Sequence, residues 1–296
     1  MMIGRRRLLF STLALAGAYG AGFATREAVD LLAVDPIEEA KRKVLPGDVR
    51  TGIFFRDSIA RLADAGVIAP AKLAAFYRKR GGIPSWVKDA LAGKGDGEIV
   101  LSLATASDLL NLLWPLGLAT KTSFTRAAMP VTDKELPRLA STGGWNLGET
   151  TNGAAYFSKV ETLKLTEAQE ATIAGMAKGI YRPCCNNSAL FQDCNHGSAM
   201  LGFLELGISQ DVPRDKLLRL AKALNGYWYP DKYIAMALLF ARRDGISWNN
   251  VPSEKALGAD YSSLSGWRTN VARPLAKSGI LPRRGNGAPR SSGCAL

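Results

Sequence analysis

Residues 213–224 read PRDKLLRLAKAL, and Leu217, Leu220 and Leu224 recur in this stretch at helical spacing. Residues three or four positions apart share one face of an α-helix, so the leucines form an apolar stripe. The basic side chains between them fall outside that stripe. The pattern predicts an amphipathic helix that packs its leucines on a core.

Two apolar segments flank this helix. Residues 196–206 read HGSAMLGFLEL and residues 231–241 read DKYIAMALLFA, with few charged side chains in either. A helix that is apolar on most faces is buried inside a larger protein. Capping residues and prolines mark further helix starts earlier in the chain. We therefore predict a mainly α, compact multi-helix domain over residues 25–281.

One part of the chain favours β-structure. Residues 157–165 alternate apolar and polar side chains for much of their length, as a half-buried strand does. Glycines and polar residues at 148–153 provide a turn before this run. We predict a small β-hairpin, inserted in the helical domain at about residues 144–165.

The N-terminal segment 1–24 carries a targeting pattern. Residues 4–10 read GRRRLLF, and the segment from Leu8 to Ala24 contains no charged side chain. A basic segment followed by an apolar one is typical of a secretory signal, and an apolar run of this length is also at the lower limit for a membrane span. Residues 1–24 resemble a bacterial twin-arginine export signal. We therefore expect export, either to the periplasm or anchored to the outer face of the inner membrane by residues 8–24.

The composition sets further limits. The chain has 296 residues, 47% of them hydrophobic and 22% charged, which is typical of a folded protein. Its net charge is +12, but six of these charges are arginines in the two terminal segments, and no basic run is interleaved with aromatic residues. These features argue against nucleic acid as a partner. The Arg-, Gly-, Pro- and Ser-rich residues 282–296 predict a disordered tail, which contains Cys294.

The chemically distinctive segment is residues 182–196, RPCCNNSALFQDCNH. Three of the four cysteines and the only histidine of the chain fall between positions 184 and 196. Thiolate and imidazole ligands favour soft ions such as Cu(I) and Zn(II), or an iron–sulfur cluster, over magnesium or calcium. We predict a metal site made of Cys184, Cys185, Cys194 and His196. Met200 is an optional fifth ligand, because it shares a helical face with His196.

The neighbours of these ligands also carry a prediction. Arg182 and Asp193 are candidates to hydrogen-bond the metal ligands from outside. Adjacent cysteines differ from the Cys-x-x-Cys spacing of structural zinc sites, so the pattern favours copper or zinc without choosing between them, and an iron–sulfur cluster less. We expect the metal ion as the first partner and a membrane or periplasmic protein as a second. Cys294 is either an added ligand or a chance tail cysteine.

Two other interpretations stay open at this stage. Cys194 could form a disulfide with Cys184 or Cys185, which would close a loop of about ten residues worth about 2.5–3 kcal/mol and leave one thiol for exchange chemistry. Alternatively, a metal or disulfide could clip two helices together and do no chemistry. Residues 227–230, YWYP, form an aromatic cluster that we interpret as packing at a helix junction, with ligand binding as the alternative. The sequence does not decide whether the protein is an enzyme.

Overall fold

The structure is a computed structural model, and it describes residues 35–78 and 80–279. The predicted export signal at 1–24 and the predicted tail at 282–296, with Cys294, lie outside the described residues. The chain divides into a unit that ends at Glu39 and a unit that begins at Ala40. Residues 35–39 are the described part of the first unit, and the two apolar clusters and the cysteine segment described below consist of residues of the second.

The regular elements follow the chain in one order. They are α1 (Pro36–Val44), β1 (Val49–Arg56), α2 (Ser58–Asp64), α3 (Pro70–Arg78), α4 (Ser85–Leu91), β2 (Gly95–Leu101), α5 (Ala106–Ala119), α6 (Ala140–Gly143), α7 (Glu167–Gly179), α8 (Asn195–Ser209), α9 (Arg214–Trp228), α10 (Pro230–Asp244), α11 (Ser253–Leu257), α12 (Ala259–Ser262), α13 (Leu264–Trp267) and α14 (Arg273–Lys277). Short 3₁₀ turns occur at Leu136–Arg138, Gly153–Ala155 and Trp248–Asn250, and a π-helical stretch at Arg268–Ala272. The predicted mainly α class, with a small antiparallel β element, is confirmed.

The position of the β-structure corrects our prediction. The two strands that the structure describes are β1 and β2, which pair antiparallel with Val49 opposite Leu101. Residues 144–165 contain a 3₁₀ turn and one isolated bridge from Val160 to Thr120. The backbone N–H groups of Lys159 and Val160 donate to the carbonyl oxygen of Ala119, at 3.0 and 2.8 Å. That segment therefore bonds to the end of α5, and among the described residues no strand pairs with it.

The centre of the main core is the contact between α5 and α8. A Cβ atom at Gly117 would lie 1.9 Å from the carbonyl oxygen of Ser198, and one at Gly202 would lie 2.5 Å from that of Leu113. Glycine is required at both positions because the two helix backbones touch. Almost every side chain of α8 is buried, as the apolar run at 196–206 predicts.

The amphipathic helix also folds as predicted. Leu217, Leu220 and Leu224 of α9 are buried in the main core, whereas Arg214 and Arg219 are exposed. A second apolar cluster forms around α10. Among the described residues, no helix has both the length and the apolar character needed to cross a membrane.

Candidate metal centre

The cysteines lie on an irregular segment between α7 and α8. This segment folds back on itself, because the N–H of Ala189 donates to the carbonyl oxygen of Ile180 at 2.8 Å and the N–H of Leu190 to that of Ala177 at 3.2 Å. Cys194 then precedes the first residue of α8 in an extended conformation, with φ −144° and ψ 161°. The fold-back brings the start of the segment, with Cys184 and Cys185, to its end at Cys194.

The three sulfur atoms form one compact group. The Sγ atoms of Cys184, Cys185 and Cys194 all lie within 4.8 Å of one another, and those of Cys184 and Cys194 are 3.7 Å apart. A triangle with one 3.7 Å edge and two 4.8 Å edges has its centre about 2.6 Å from each corner, close to the ~2.3 Å of a zinc–sulfur bond. The three cysteines therefore form a group that could hold a metal ion.

Arg182 lies beneath this group, and its side chain is only 2% exposed. Its Nε donates to Cys194 Sγ at 3.3 Å, and its Nη1 donates to the carbonyl oxygen of Asn187 at 2.7 Å. Its Nη2 donates to a carboxylate oxygen of Asp193. Burial alone would lower the pKa of Arg182, but its electrostatic interactions with Cys194, Cys185 and Asp193 outweigh burial and raise it. Arg182 is thus a buried cation beside the sulfurs.

Each sulfur has a different polar neighbour. Arg182 contacts Cys194, and the hydroxyl of Tyr229 donates to Cys184 Sγ at 3.1 Å. Cys185 Sγ lies 3.6 Å from a carboxylate oxygen of Asp193, to which its thiol can donate. Hydrogen bonding to the sulfurs of Cys184 and Cys194, with burial, raises the pKa of Cys185 above its ordinary value. A metal ion that binds all three sulfurs would have to displace this proton.

His196 is near the group but does not belong to it. Its Nδ1 lies 3.0 Å from Oδ1 of Asn195, which also accepts the backbone N–H of His196 at 2.9 Å. Because that oxygen is an acceptor, Nδ1 carries the proton and Nε2 the lone pair. The ring packs against Trp228 and Tyr229, with ring centroids 5.4 and 4.9 Å away. Burial lowers the pKa of His196 to about 4, so the imidazole is neutral at neutral pH.

Met200 is part of the main core, where it is 1% exposed. The described group of donor atoms contains the three cysteines, without His196 and without a fourth Cys, Asp or Glu. The five ligands predicted from sequence are thus placed differently: three converge, His196 packs on aromatic rings, and Met200 packs among apolar side chains.

Two residues of the site were not predicted from the sequence. Tyr229, between α9 and α10, contacts Cys184, and Lys232 of α10 donates to the carbonyl oxygen of Pro183. The Nζ of Lys232 also lies over the ring of Tyr229 at 5.9 Å and over that of Trp267 at 5.4 Å. The aromatic run 227–230 is the signal that marks this region. It forms a helix junction, as interpreted, and that junction also covers the site.

Comparison of the chain with protein-family models, with curated proteins and with solved structures found no match.

Proposed function

We propose that this protein binds one soft transition-metal ion through Cys184, Cys185 and Cys194. The observation that carries the proposal is the sulfur triangle, whose corners lie within 4.8 Å of one another. In an iron–sulfur cluster the cysteine ligands bind several different iron atoms, whereas three sulfurs around one centre suit a single metal ion. The surroundings add a buried cation, Arg182, which stabilises the negative charge that thiolate ligands bring.

Among soft ions, we propose Cu(I) first and Zn(II) second. Thiolates select both, but zinc in protein sites is almost always four-coordinate. Within the described part of the chain, the donor group has three members, and Asp193 is already bonded to Arg182 and to Asn187. Three sulfurs therefore suit copper directly, whereas zinc would need a fourth ligand from outside this group.

We also propose that the site works outside the cytoplasm. The support is the basic and apolar pattern of residues 4–24, which resembles a twin-arginine signal. That route carries folded cargo, so the ion would be bound before export and offered to a membrane or periplasmic partner afterwards. Replacing Arg5, Arg6 and Arg7 together by lysine keeps the charge and should retain the protein in the cytoplasm. Normal export of this variant would contradict the proposed route.

The metal proposal is tested by a Cu(I) titration of the purified, reduced chain against a coloured Cu(I) chelator. We expect one ion per chain. Cys184→Ser, Cys185→Ser and Cys194→Ser should each weaken binding beyond the about 10- to 100-fold that loss of an outer hydrogen-bond partner costs. Cys294→Ser is the matched control and should bind as the wild type does. Unchanged affinity in the three site variants would overturn the proposal.

A further inference from the structure

Within the triangle, Cys184 and Cys194 form one close pair. Their sulfurs are 3.7 Å apart, and the Cys185 sulfur also lies 3.6 Å from a carboxylate oxygen of Asp193. We propose that Cys184 and Cys194 are a redox-active dithiol, which a small-molecule disulfide oxidises to an intramolecular disulfide, and that this oxidation releases the metal ion. The second half of the proposal rests on the metal-binding function, and the first half does not.

The distance between the two sulfurs allows this pairing. A disulfide bond is about 2.05 Å long, so the pair must close by about 1.7 Å, which side-chain rotation can supply. A bond between Cys184 and Cys185 would join adjacent residues across a strained peptide. Cys194 is buried at 2% exposure, and Cys184 is half-buried. One sulfur of the pair can therefore meet an external reagent while the other stays in reach beneath it.

Each sulfur of the pair accepts a hydrogen bond from a polar side chain. Tyr229 donates to Cys184 at 3.1 Å, and Arg182 donates to Cys194 at 3.3 Å. Donors of this kind stabilise negative charge on a sulfur, which is the nucleophilic form in exchange reactions. Cys185 lies next to an acceptor, the Asp193 carboxylate. The three cysteine side chains thus have different roles in the proposed thiol–disulfide exchange, and Cys185 takes no part in it.

The proposed reaction is two thiol–disulfide exchanges. In the first, Cys184 attacks a sulfur of the external disulfide, forms a mixed disulfide and releases one thiolate. In the second, Cys194 attacks the Cys184 sulfur of that mixed disulfide, closes the Cys184–Cys194 bond and releases the second thiolate. Two protein thiols and one external disulfide become one protein disulfide and two external thiols. The two protons leave the protein with the released thiols, and the protein loses two electrons to the reagent.

Oxidation and metal binding exclude each other, because they use the same two sulfurs. A sulfur in a disulfide no longer provides the thiolate charge that a soft ion needs. Oxidation would leave Cys185 as one thiolate donor of the original three. The ion in turn protects the pair, because a metal-bound sulfur is not available for exchange.

The test uses the full-length chain carrying Cys294→Ser, so that the three site cysteines are the only thiols. The metal-free protein is equilibrated in buffers with increasing ratios of oxidised to reduced glutathione, trapped by alkylation and mapped by mass spectrometry. We expect one intramolecular disulfide, Cys184–Cys194, with Cys185 alkylated. The additional variant Cys185→Ser should form the same bond at the same ratio, and Cys194→Ser should form none.

A second readout isolates the metal. Cu(I) titration of the oxidised protein should show affinity at least 100-fold weaker than that of the reduced protein, restored by reduction. The dithiol assignment is overturned by a Cys185–Cys194 bond in the chain that retains all three site cysteines, or by no disulfide at any ratio. Equal Cu(I) affinity of the oxidised and the reduced protein overturns the proposal that oxidation releases the ion. If the reduced protein binds no metal while Cys184–Cys194 still forms, the metal function fails and the dithiol stands.

Discussion

The Nε of Arg182 donates a hydrogen bond to Cys194 Sγ at 3.3 Å, from a side chain that is 2% exposed. The same guanidinium bonds Asp193, so one buried cation connects a candidate metal ligand to a half-buried carboxylate. Arg182 also fills the space beside Gly197 of α8, where a Cβ atom would lie 2.4 Å from the guanidinium. This side chain therefore fixes how the cysteine segment joins α8.

Arg182→Met should destabilise the fold strongly. It removes one partner of a buried ion pair and leaves Asp193 without its cation, a change that costs about 3–5 kcal/mol in such pairs. Urea unfolding followed by circular dichroism gives the free energy of unfolding. The matched control is Arg61→Met, because Arg61 forms a pair with Asp57 that is exposed on both sides. It should change the stability far less, and equal losses in the two variants would contradict this role of Arg182.

Glu205→Gln should change how stability depends on pH. Burial, with the charge of Glu170, raises the pKa of Glu205 well above its ordinary value. The nearby Thr120 hydroxyl acts in the opposite direction and lowers this pKa. Neither carboxylate oxygen of Glu205 has a hydrogen-bond partner among the described residues. The unfolded chain releases this proton near pH 4.3, whereas the folded protein keeps it. The free energy of unfolding therefore falls as pH rises from about 4.3 towards the folded pKa.

The free energy of unfolding of Glu205→Gln does not fall in this way. Its difference from the wild-type value should therefore grow in favour of the variant between pH 4.5 and pH 7.5. Urea titrations at several pH values measure the difference. Glu161→Gln serves as the control, because Glu161 is exposed and its hydrogen bond with Lys121 lowers its pKa. A constant difference between Glu205→Gln and wild type over this range would show that the buried carboxyl does not keep its proton.

Gly117→Ala should disrupt the contact between α5 and α8. The added methyl group would lie 1.9 Å from the carbonyl oxygen of Ser198, which belongs to a backbone that cannot move aside locally. We expect a loss of about 3 kcal/mol or more in the free energy of unfolding. Gly175→Ala is the control, since nothing lies within 4 Å of its added methyl group in α7, and it should stabilise by about 0.5–1 kcal/mol. A small effect at Gly117 would mean that the helices lie further apart.

Tyr229→Phe should weaken metal binding without unfolding the protein. The variant loses the hydroxyl that donates to Cys184 Sγ and keeps the aromatic ring that packs on His196. We expect Cu(I) affinity to fall by about tenfold, the lower end of what outer hydrogen bonds contribute. Tyr227→Phe is the matched control, because the Tyr227 hydroxyl donates to the backbone of Gly47 instead. If Tyr229→Phe and Tyr227→Phe both bind Cu(I) as tightly as the wild type, the Tyr229 hydroxyl does not contribute to metal binding.

The sequence predicted the parts of the site that are close in the chain. Cys184, Cys185 and Cys194 belong to one short segment, and the helix start after Cys194 was apparent from the apolar run that follows. The orientation of His196 was not apparent, because Trp228 and Tyr229 decide it from a helix junction that is distant in the sequence. The contact of Lys232 with Pro183 escaped prediction for the same reason, since it depends on how α10 docks.

The position of the sheet was not predicted either, because it also depends on contacts between distant parts of the chain. Residues 94–98 read KGDGE, which is typical of a loop, yet β2 begins at Gly95 and pairs with β1, from which three helices separate it in the chain. Long-range pairing thus overrode the local preference. Residues 157–165 had a strand-like pattern, but their backbone found its partner at the end of α5. Local patterns identified the class, whereas the position of the sheet depended on tertiary contacts.

In the proposed site, three cysteine sulfurs surround one ion. X-ray absorption spectroscopy on the full-length chain loaded with one equivalent of Cu(I) measures this directly, because it counts the sulfur atoms bonded to the ion. The geometry of the triangle predicts three sulfurs at one distance, near the roughly 2.3 Å of metal–thiolate bonds, and the same spectrum for the Cys294→Ser variant. Two or fewer sulfurs with nitrogen or oxygen ligands in their place, or an ion that does not stay bound, would contradict it.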